Sequence, residues 1–108
     1  MGQERGQAMK AYIAGKITGD EYYHDKFAAA EISARMGEFE SLGISVNSII
    51  LNPIALPVGM SNADCIKICL AMIDAADMVL FLPDWHQSRG AQLEHSYCLY
   101  IGKPIAYI

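Results

Sequence analysis

The sequence predicts an α/β domain of the Rossmann-like (flavodoxin-like) type, a three-layer sandwich in which a small parallel sheet has helices on both faces. Two observations support this prediction. Short apolar segments alternate with longer segments of helical periodicity, and the segment Met78 to Leu82 is apolar at every position, as in a strand buried on both faces. The chain has 108 residues, 53% of them hydrophobic and 19% charged, which suits one domain with its own core.

The first strand and helix are predicted by an apolar run and the glycines that follow it. Residues 11–14 form the run, which ends in the glycine loop at residues 15–19. Asp20 is placed to cap a helix. Apolar residues recur at spacings of three and four over residues 21–42, and Gly43 stands where that helix would stop.

The middle of the chain predicts a second strand and a second helix. Ile44 to Leu51 is rich in β-branched residues, although a polar Asn-Ser pair interrupts it. Ser61, with Asp64 three residues later, resembles the capping signal of a helix that ends near Ala75.

The last third of the chain repeats the alternation. The strand at residues 78–82 is followed by a loop over residues 84–89 and by helical spacing from Gly90 to Ile101. Gly102 stands at the stop of this helix, and residues 105–108 form a final apolar strand. Such sheets bind ligands beyond the carboxyl ends of their strands, so we expect function in the loops after the first and third strands.

Charge and composition argue against several classes of function. The 8 basic and 12 acidic residues leave a net charge of −4, the wrong sign for a surface that binds a nucleic-acid polymer or an anionic membrane. The polar first nine residues predict a flexible arm (1–9) before one domain (10–108), and they lack the apolar core of a secretion signal. The lack of a secretion signal and the odd number of cysteines, three, together predict a cytoplasmic protein with reduced thiols.

The loop after the third strand and the next helix bring several functional groups together. Ser88, Arg89 and Gly90 open the helix, where free backbone N–H groups and the positive helix end favour an anion such as phosphate. Glu94 lies about one turn further, and its side chain is expected to lean back toward the same end. Asp84 leaves the strand on the other side of the loop, so the two carboxylates are predicted to flank one ligand. Such a pair can divide the roles of nucleophile and proton donor at a glycosidic bond.

Further short motifs extend this pattern along the chain. They are Tyr12-Ile13-Ala14-Gly15-Lys16-Ile17-Thr18-Gly19, Asn52-Pro53, Ala76-Asp77-Met78-Val79, Trp85, Ser88-Arg89-Gly90-Ala91, Glu94 and Gly102-Lys103-Pro104. In this order they resemble the nucleoside 2-deoxyribosyltransferase-like superfamily, and in particular a small branch in phages and bacteria with the signature Trp-x-x-Ser-x-Gly-Ala-x-x-Glu. The resemblance extends over residues 10–108.

The resemblance implies chemistry at the N-glycosidic bond of a nucleotide or deoxynucleoside, either hydrolysis or transfer of the sugar, with no metal or organic cofactor required. In relatives, the glutamate that matches Glu94 attacks the anomeric carbon, and an acid near Asp84 helps the base to leave. The serine that matches Ser88 contacts the 5′-phosphate. The resemblance further implies a homo-oligomer. The other residues expected to hold the ligand are Tyr12, Gly15, Lys16, Ile17, Thr18, Gly19, Trp85, Arg89 and Gly90.

The second helix departs from the family pattern. Relatives have an aspartate eight residues before the Ala-Asp pair that opens the third strand, and Cys69 stands there in this chain. A thiol cannot replace that carboxylate, so the alternative is a non-catalytic nucleotide-binding or sensing module of the same fold. Lys16 is a second difference, whose ammonium group can compensate by pairing with a phosphate. A third alternative is a flavodoxin-like structural or partner-binding protein.

Several other residues have two interpretations each. Trp85 either stacks on the base of a ligand or packs at the edge of the core with one face on the pocket. Four residues at helical spacings are possible zinc ligands, although free cysteine commonly packs as a small hydrophobic residue; they are Cys65, Cys69, His95 and Cys98. Four tyrosines either complete the core surface or form a subunit interface; they are Tyr22, Tyr23, Tyr97 and Tyr100.

Overall fold

The structure is a computed structural model that describes residues 8–108. In this part of the chain, four parallel strands form one sheet. Most of the predicted N-terminal arm, residues 1–7, lies outside the described residues. The strands are β1 (Lys10–Ala14), β2 (Ile49–Leu51), β3 (Met78–Phe81) and β4 (Ile105–Tyr107), in the spatial order β2-β1-β3-β4. Each neighbouring pair is parallel.

Three α-helices connect these strands within the same residues. They are α1 (Tyr23–Arg35), α2 (Asn62–Ala75) and α3 (Arg89–Ile101). Single turns of 3-10 helix occur at Glu40–Leu42, Pro53–Ala55 and Trp85–Gln87. None of the helices described between residues 8 and 108 combines the length and apolar character that a membrane crossing requires.

The helices cover both faces of the sheet, which confirms the predicted three-layer α/β sandwich. On one face, buried residues of α1 such as Phe27 and Ala34 pack against the sheet. On the other, Cys69 and Ile73 of α2 and Cys98 of α3 do so. Alternate residues along a strand point to opposite faces. The strand residues facing α1 are Ala11, Ile13, Met78 and Leu80, and those facing α2 and α3 are Tyr12, Ala14, Val79 and Phe81.

The strand order places a crevice between β1 and β3. From β1 the chain moves outward to β2, then crosses back over β1 to reach β3 on its other side. The connections after β1 and β3 therefore diverge from two adjacent strands, whose ends are paired at Ala14 and Phe81. This is the topological switch point where open α/β sheets bind their ligands.

The first helix is shorter than predicted, because it ends at Arg35 instead of Leu42. Gly37 has a φ of +91°, a left-handed conformation that does not continue a right-handed helix. Phe39 and Leu42 still pack against the core from the turn and the 3-10 segment that follow. The apolar spacing therefore continues beyond the helix. Asp20 precedes α1 without being its capping residue, and it accepts a hydrogen bond from the Tyr22 N–H.

The second strand also starts later than predicted, at Ile49 instead of Ile44. Residues 45–48 form a turn in which the Ser48 N–H donates to the Ser45 carbonyl at 3.0 Å and the Ser45 N–H donates to Ser48 Oγ at 2.9 Å. Serine and asparagine side chains compete in this way with strand pairing. The interruption seen in the sequence thus removes the first half of the strand.

The start of α2 and the end of α3 agree with their predicted capping signals, and Ser88 also caps the start of α3. Ser61 Oγ accepts a hydrogen bond from the Asp64 N–H at 3.1 Å, and Ser88 Oγ accepts one from the Ala91 N–H at 3.2 Å. At the end of α3, Gly102 adopts the left-handed conformation with a φ of +75°.

Two of the motif segments fasten the end of the sheet away from the crevice. Asp77, just before β3, accepts a hydrogen bond from the Lys10 N–H at 2.8 Å. The Lys103 ammonium group donates to the carbonyls of Asp74 and Ala76, where α2 ends. Both contacts lie at the amino end of β3, so these motif residues are structural.

Candidate active site

A cavity of about 870 Å³ opens at the crevice. Its walls are the loops after β1, β2 and β3, the first residue of α1 and the first two turns of α2 and α3. The predicted site residues that line it are Gly15, Ile17, Thr18, Ser88, Arg89, Gly90 and Glu94. The predicted site residues that do not line it are Tyr12, Lys16, Gly19, Asp84 and Trp85.

Glu94 is the acidic residue of the cavity wall in the described range 8–108, and it is only 5% exposed. It lies in the second turn of α3, on the side that packs toward the sheet. Tyr12, on the adjacent face of β1, donates a hydrogen bond from its hydroxyl to Glu94 Oε2 at 2.6 Å. The short distance is that of an O–H donor to a carboxylate oxygen. Tyr12 therefore supports the site through Glu94, from behind the cavity wall.

The environment of Glu94 favours its protonated form. Burial raises the pKa of the carboxyl from its ordinary 4.5 to about 7, and hydrogen bonds from Tyr12 and Cys69 offset only part of this rise. Burial and the nearby Glu94 raise the pKa of the Tyr12 hydroxyl well above its usual range. The phenol therefore keeps its proton, while the carboxyl exchanges its own near neutral pH.

Cys69 occupies the position next to this pair where the family resemblance leads us to expect an aspartate. The residue is 5% exposed, and it lines the cavity. Burial raises the pKa of its thiol to about 11, so the group is neutral near pH 7. The cavity wall thus combines one carboxyl group with two neutral partners, a phenol and a thiol.

The amino end of α3 forms the part of the wall suited to an anion. Arg89 and Gly90 are the first residues of the helix, whose first N–H groups have no partners within the helix. Ser88 Oγ accepts from Ala91, which leaves the hydroxyl hydrogen free for a ligand. Arg89 adds a guanidinium group to the positive end of the helix dipole.

The loop after β1 approaches β3 closely and is tied to it. A Cβ atom at Gly15 would lie 2.7 Å from Cδ1 and 3.0 Å from Cβ of Leu82, so this position needs a glycine. The Lys16 N–H donates to Asp84 Oδ1 at 3.1 Å, and the Lys16 carbonyl accepts from Lys26 Nζ at 3.0 Å. Lys16 takes part in the loop through its backbone.

The sequence predicts that Asp84 flanks the ligand, and the structure places Asp84 outside the residues that line the cavity. Asp84 forms an ion pair with Lys26, which also pairs with Asp20 at 2.5 Å. Its other oxygen accepts the Lys16 N–H. Both carboxylate oxygens are thus committed to holding the loop after β1, outside the cavity wall.

Trp85 packs in an aromatic cluster and does not present a face to the cavity. Its ring stacks on His95 with centroids 4.0 Å apart and an interplanar angle of 16°. It also meets the ring of Phe81 edge-on at 5.6 Å, and the Tyr107 hydroxyl lies 2.7 Å from His95 Nε2. Of its two interpretations, packing is confirmed, although without the predicted exposure to the pocket.

The four possible zinc ligands do not form a site. Within residues 8–108, no group of three or more His, Cys, Asp or Glu side chains is arranged to hold a metal ion. Cys65, Cys69 and Cys98 are free thiols, and His95 is engaged by Trp85 and Tyr107.

The four tyrosines lie in different surroundings. Tyr22 and Tyr100 are exposed, Tyr97 donates a hydrogen bond to Asp74, and Tyr23 lines the cavity.

The loop after β2 and α2 contribute a part of the wall that was not predicted from the sequence. This part of the wall includes Pro53, Leu56, Pro57, Asn62, Cys65 and Ile66. The loop after β2 also leaves the carboxyl edge of the sheet, so the rule applied to the loops after the first and third strands would have indicated it.

A family model described as a domain of unknown function, DUF4406, matches residues 9–107. A search of curated proteins gives no match to the chain.

Proposed function

The chain belongs to the DUF4406 family, and we propose that it cleaves the N-glycosidic bond of a nucleotide or deoxynucleoside, with Glu94 as the nucleophile. The proposal includes both outcomes of cleavage, hydrolysis and transfer of the sugar to a second base. It follows the resemblance to the nucleoside 2-deoxyribosyltransferase-like superfamily, in which the match to Glu94 has this role.

The observation that carries the proposal is the state of Glu94. Its carboxyl group is buried, borders a cavity large enough for a nucleotide, and has hydrogen-bond donors but no cation as partners among residues 8–108. A carboxylate held by a salt bridge is a poor nucleophile, because the cation stabilises its charge. Glu94 is free of that stabilisation, and with a pKa of about 7 it is ionised in much of the protein at neutral pH.

The proposed reaction has two steps. A carboxylate oxygen of Glu94 attacks the anomeric carbon, the bond to the base nitrogen breaks, and the base leaves with that electron pair and takes a proton from water. A water molecule or the nitrogen of a second base then attacks the same carbon, which releases the sugar and regenerates the carboxylate. Tyr12 orients the carboxyl by its hydrogen bond to Oε2, so Oε1 is the oxygen proposed to attack.

The amino end of α3 supports a substrate with a 5′-phosphate. Ser88, Arg89 and Gly90 lie on the cavity wall, about one and a half turns before Glu94 on the same helix. A phosphate held there and a sugar carbon at Glu94 would use one rigid element for both contacts.

Release of free base tests the proposal. The purified full chain is incubated with nucleoside monophosphates, their deoxy forms and deoxynucleosides, and free base is measured by chromatography. Glu94→Gln, which keeps the shape and removes the ionisable group, is expected to lower the rate at least about 10³-fold. Glu38→Gln is the matched control, because Glu38 is exposed. Absence of release by the wild type, or equal release by Glu94→Gln, would overturn the proposal.

A second candidate is a nucleotide-binding or sensing module without turnover, favoured by the neutral Cys69 beside Glu94. In this case calorimetry would detect nucleotide binding, and chromatography would recover the nucleotide intact after long incubation. We also propose a homo-oligomer, as the resemblance implies, to be measured by light scattering.

A further inference from the structure

One part of the cavity wall is apolar and uncharged, and it is distinct from the part formed by α3. It consists of Ile17, Tyr23, Pro53, Leu56 and Pro57. Arg89 and Glu94, the charged residues of the wall in the described chain, both belong to α3. A ligand that fills the cavity therefore meets charge along α3 and an apolar surface at these five residues.

Tyr23 is the one aromatic residue on the cavity wall within residues 8–108. It is the first residue of α1, directly after the loop that follows β1. Its half-buried ring packs against the buried cluster of Ile13 and Phe27, and it meets the Phe27 ring edge-on, with centroids 6.4 Å apart and an interplanar angle of 79°. The core thus holds the ring in place.

The Tyr23 ring differs in this respect from Trp85, the aromatic residue that the sequence indicated. The indole of Trp85 is stacked on His95 at 4.0 Å. The neighbours of the Tyr23 ring, His24 and Phe27, lie at interplanar angles of 56° and 79°. Neither ring lies parallel to that of Tyr23, and Tyr23 borders the cavity.

We propose that Tyr23 is the platform on which the base of the substrate stacks. The inference rests on the proposed function and adds the location of the base. Aromatic side chains accept any base, because every base has a π-face. The apolar part of the cavity wall around Tyr23 suits a neutral heterocycle.

Binding of two probes tests this placement. The Glu94→Gln form of the full chain keeps the ligand intact, and calorimetry measures its affinity for a nucleoside monophosphate and for ribose 5-phosphate, which lacks the base. Tyr23→Leu is expected to weaken nucleotide binding roughly 5- to 100-fold and to change ribose 5-phosphate binding by less than about twofold. Tyr23→Phe, which keeps the ring, is expected to bind both probes as Tyr23 does.

The neighbouring Tyr22→Leu is the matched control, because Tyr22 is 66% exposed and does not line the cavity. Tyr23→Met serves as a second variant if Tyr23→Leu does not fold, and thermal unfolding checks both. Equal loss of both probes, or no loss of either, would overturn the placement of the base while the proposed function stands. Both proposals fail if the Glu94→Gln protein with Tyr23 intact binds neither probe and the wild type releases no base.

Discussion

Two carboxylates follow β3 within ten residues of each other, yet they have opposite surroundings. Asp84 is held by the Lys26 ammonium group and the Lys16 N–H, outside the cavity wall. Glu94 is held by the Tyr12 hydroxyl inside the wall, with Cys69 as its other neighbour. A cation neutralises the carboxylate of Asp84. The carboxyl group of Glu94 is instead either protonated or negatively charged. The comparison teaches that the partners of a carboxylate, more than its place in a motif, separate a structural role from a chemical one.

The largest expected effect is on stability as a function of pH. The folded-state pKa of Glu94, about 7, lies above its ordinary 4.5, so the folded protein binds this proton more tightly than the unfolded chain does. The resulting stability is present below pH 4.5 and is lost as pH rises through about 7, a change of about 3 kcal/mol. Urea unfolding of the wild type and Glu94→Gln should show the variant gaining relative stability by this amount between about pH 5 and pH 8.

The control for this comparison is Glu38→Gln, which removes one exposed carboxylate without changing the core. If the difference between wild type and Glu94→Gln stays constant over this pH range, Glu94 is not the buried titrating group described above.

A smaller effect is expected at Asp84. Asp84→Ala removes the partner of Lys26 and of the Lys16 N–H, and we expect it to lower the free energy of unfolding by roughly 1 kcal/mol, because the ion pair is partly exposed. A double-mutant cycle with Lys26→Met measures the coupling within the pair. Base release should fall less than about tenfold, far less than for Glu94→Gln. A loss of base release equal to that of Glu94→Gln would show that Asp84 takes part in the reaction.

The smallest effect is expected from Tyr12→Phe. The Tyr12 hydroxyl lowers the pKa of Glu94 by its hydrogen bond, so its removal raises that pKa further above about 7. The pH at which base release reaches half of its plateau should therefore move up. A shift toward lower pH would contradict the assigned direction of this hydrogen bond.

The fold was predictable where a local signal marks each boundary. Ser61, Ser88 and Gly102 end or begin their helices as their capping chemistry requires. The end of α1 was not predictable from spacing, because Phe39 and Leu42 remain on the core side after Gly37 has ended the helix. Apolar periodicity reports which side of a segment is buried, and it does not report whether the backbone is still helical.

The candidate site was likewise predictable only where neighbouring residues in the sequence determine it. The place of Glu94 follows from its position on the helix opened by Ser88. The partners that decide its chemistry lie far away in sequence, Tyr12 by 82 residues, and the cation that removes Asp84 from the cavity, Lys26, lies 58 residues away from it. Such pairings depend on how the helices cross the sheet, which no pattern in the sequence contains.

The stacking of Trp85 on His95 supplies this protein with a built-in optical probe. Trp85 is the only tryptophan in the chain, and His95 follows Glu94 directly on α3. Indole emission in the unlabelled protein therefore comes from a single position, in contact with the helix that holds the carboxyl group. A tilt of that helix on ligand binding would change the intensity or the wavelength of this emission. Fluorescence would then report occupancy of the cavity in real time.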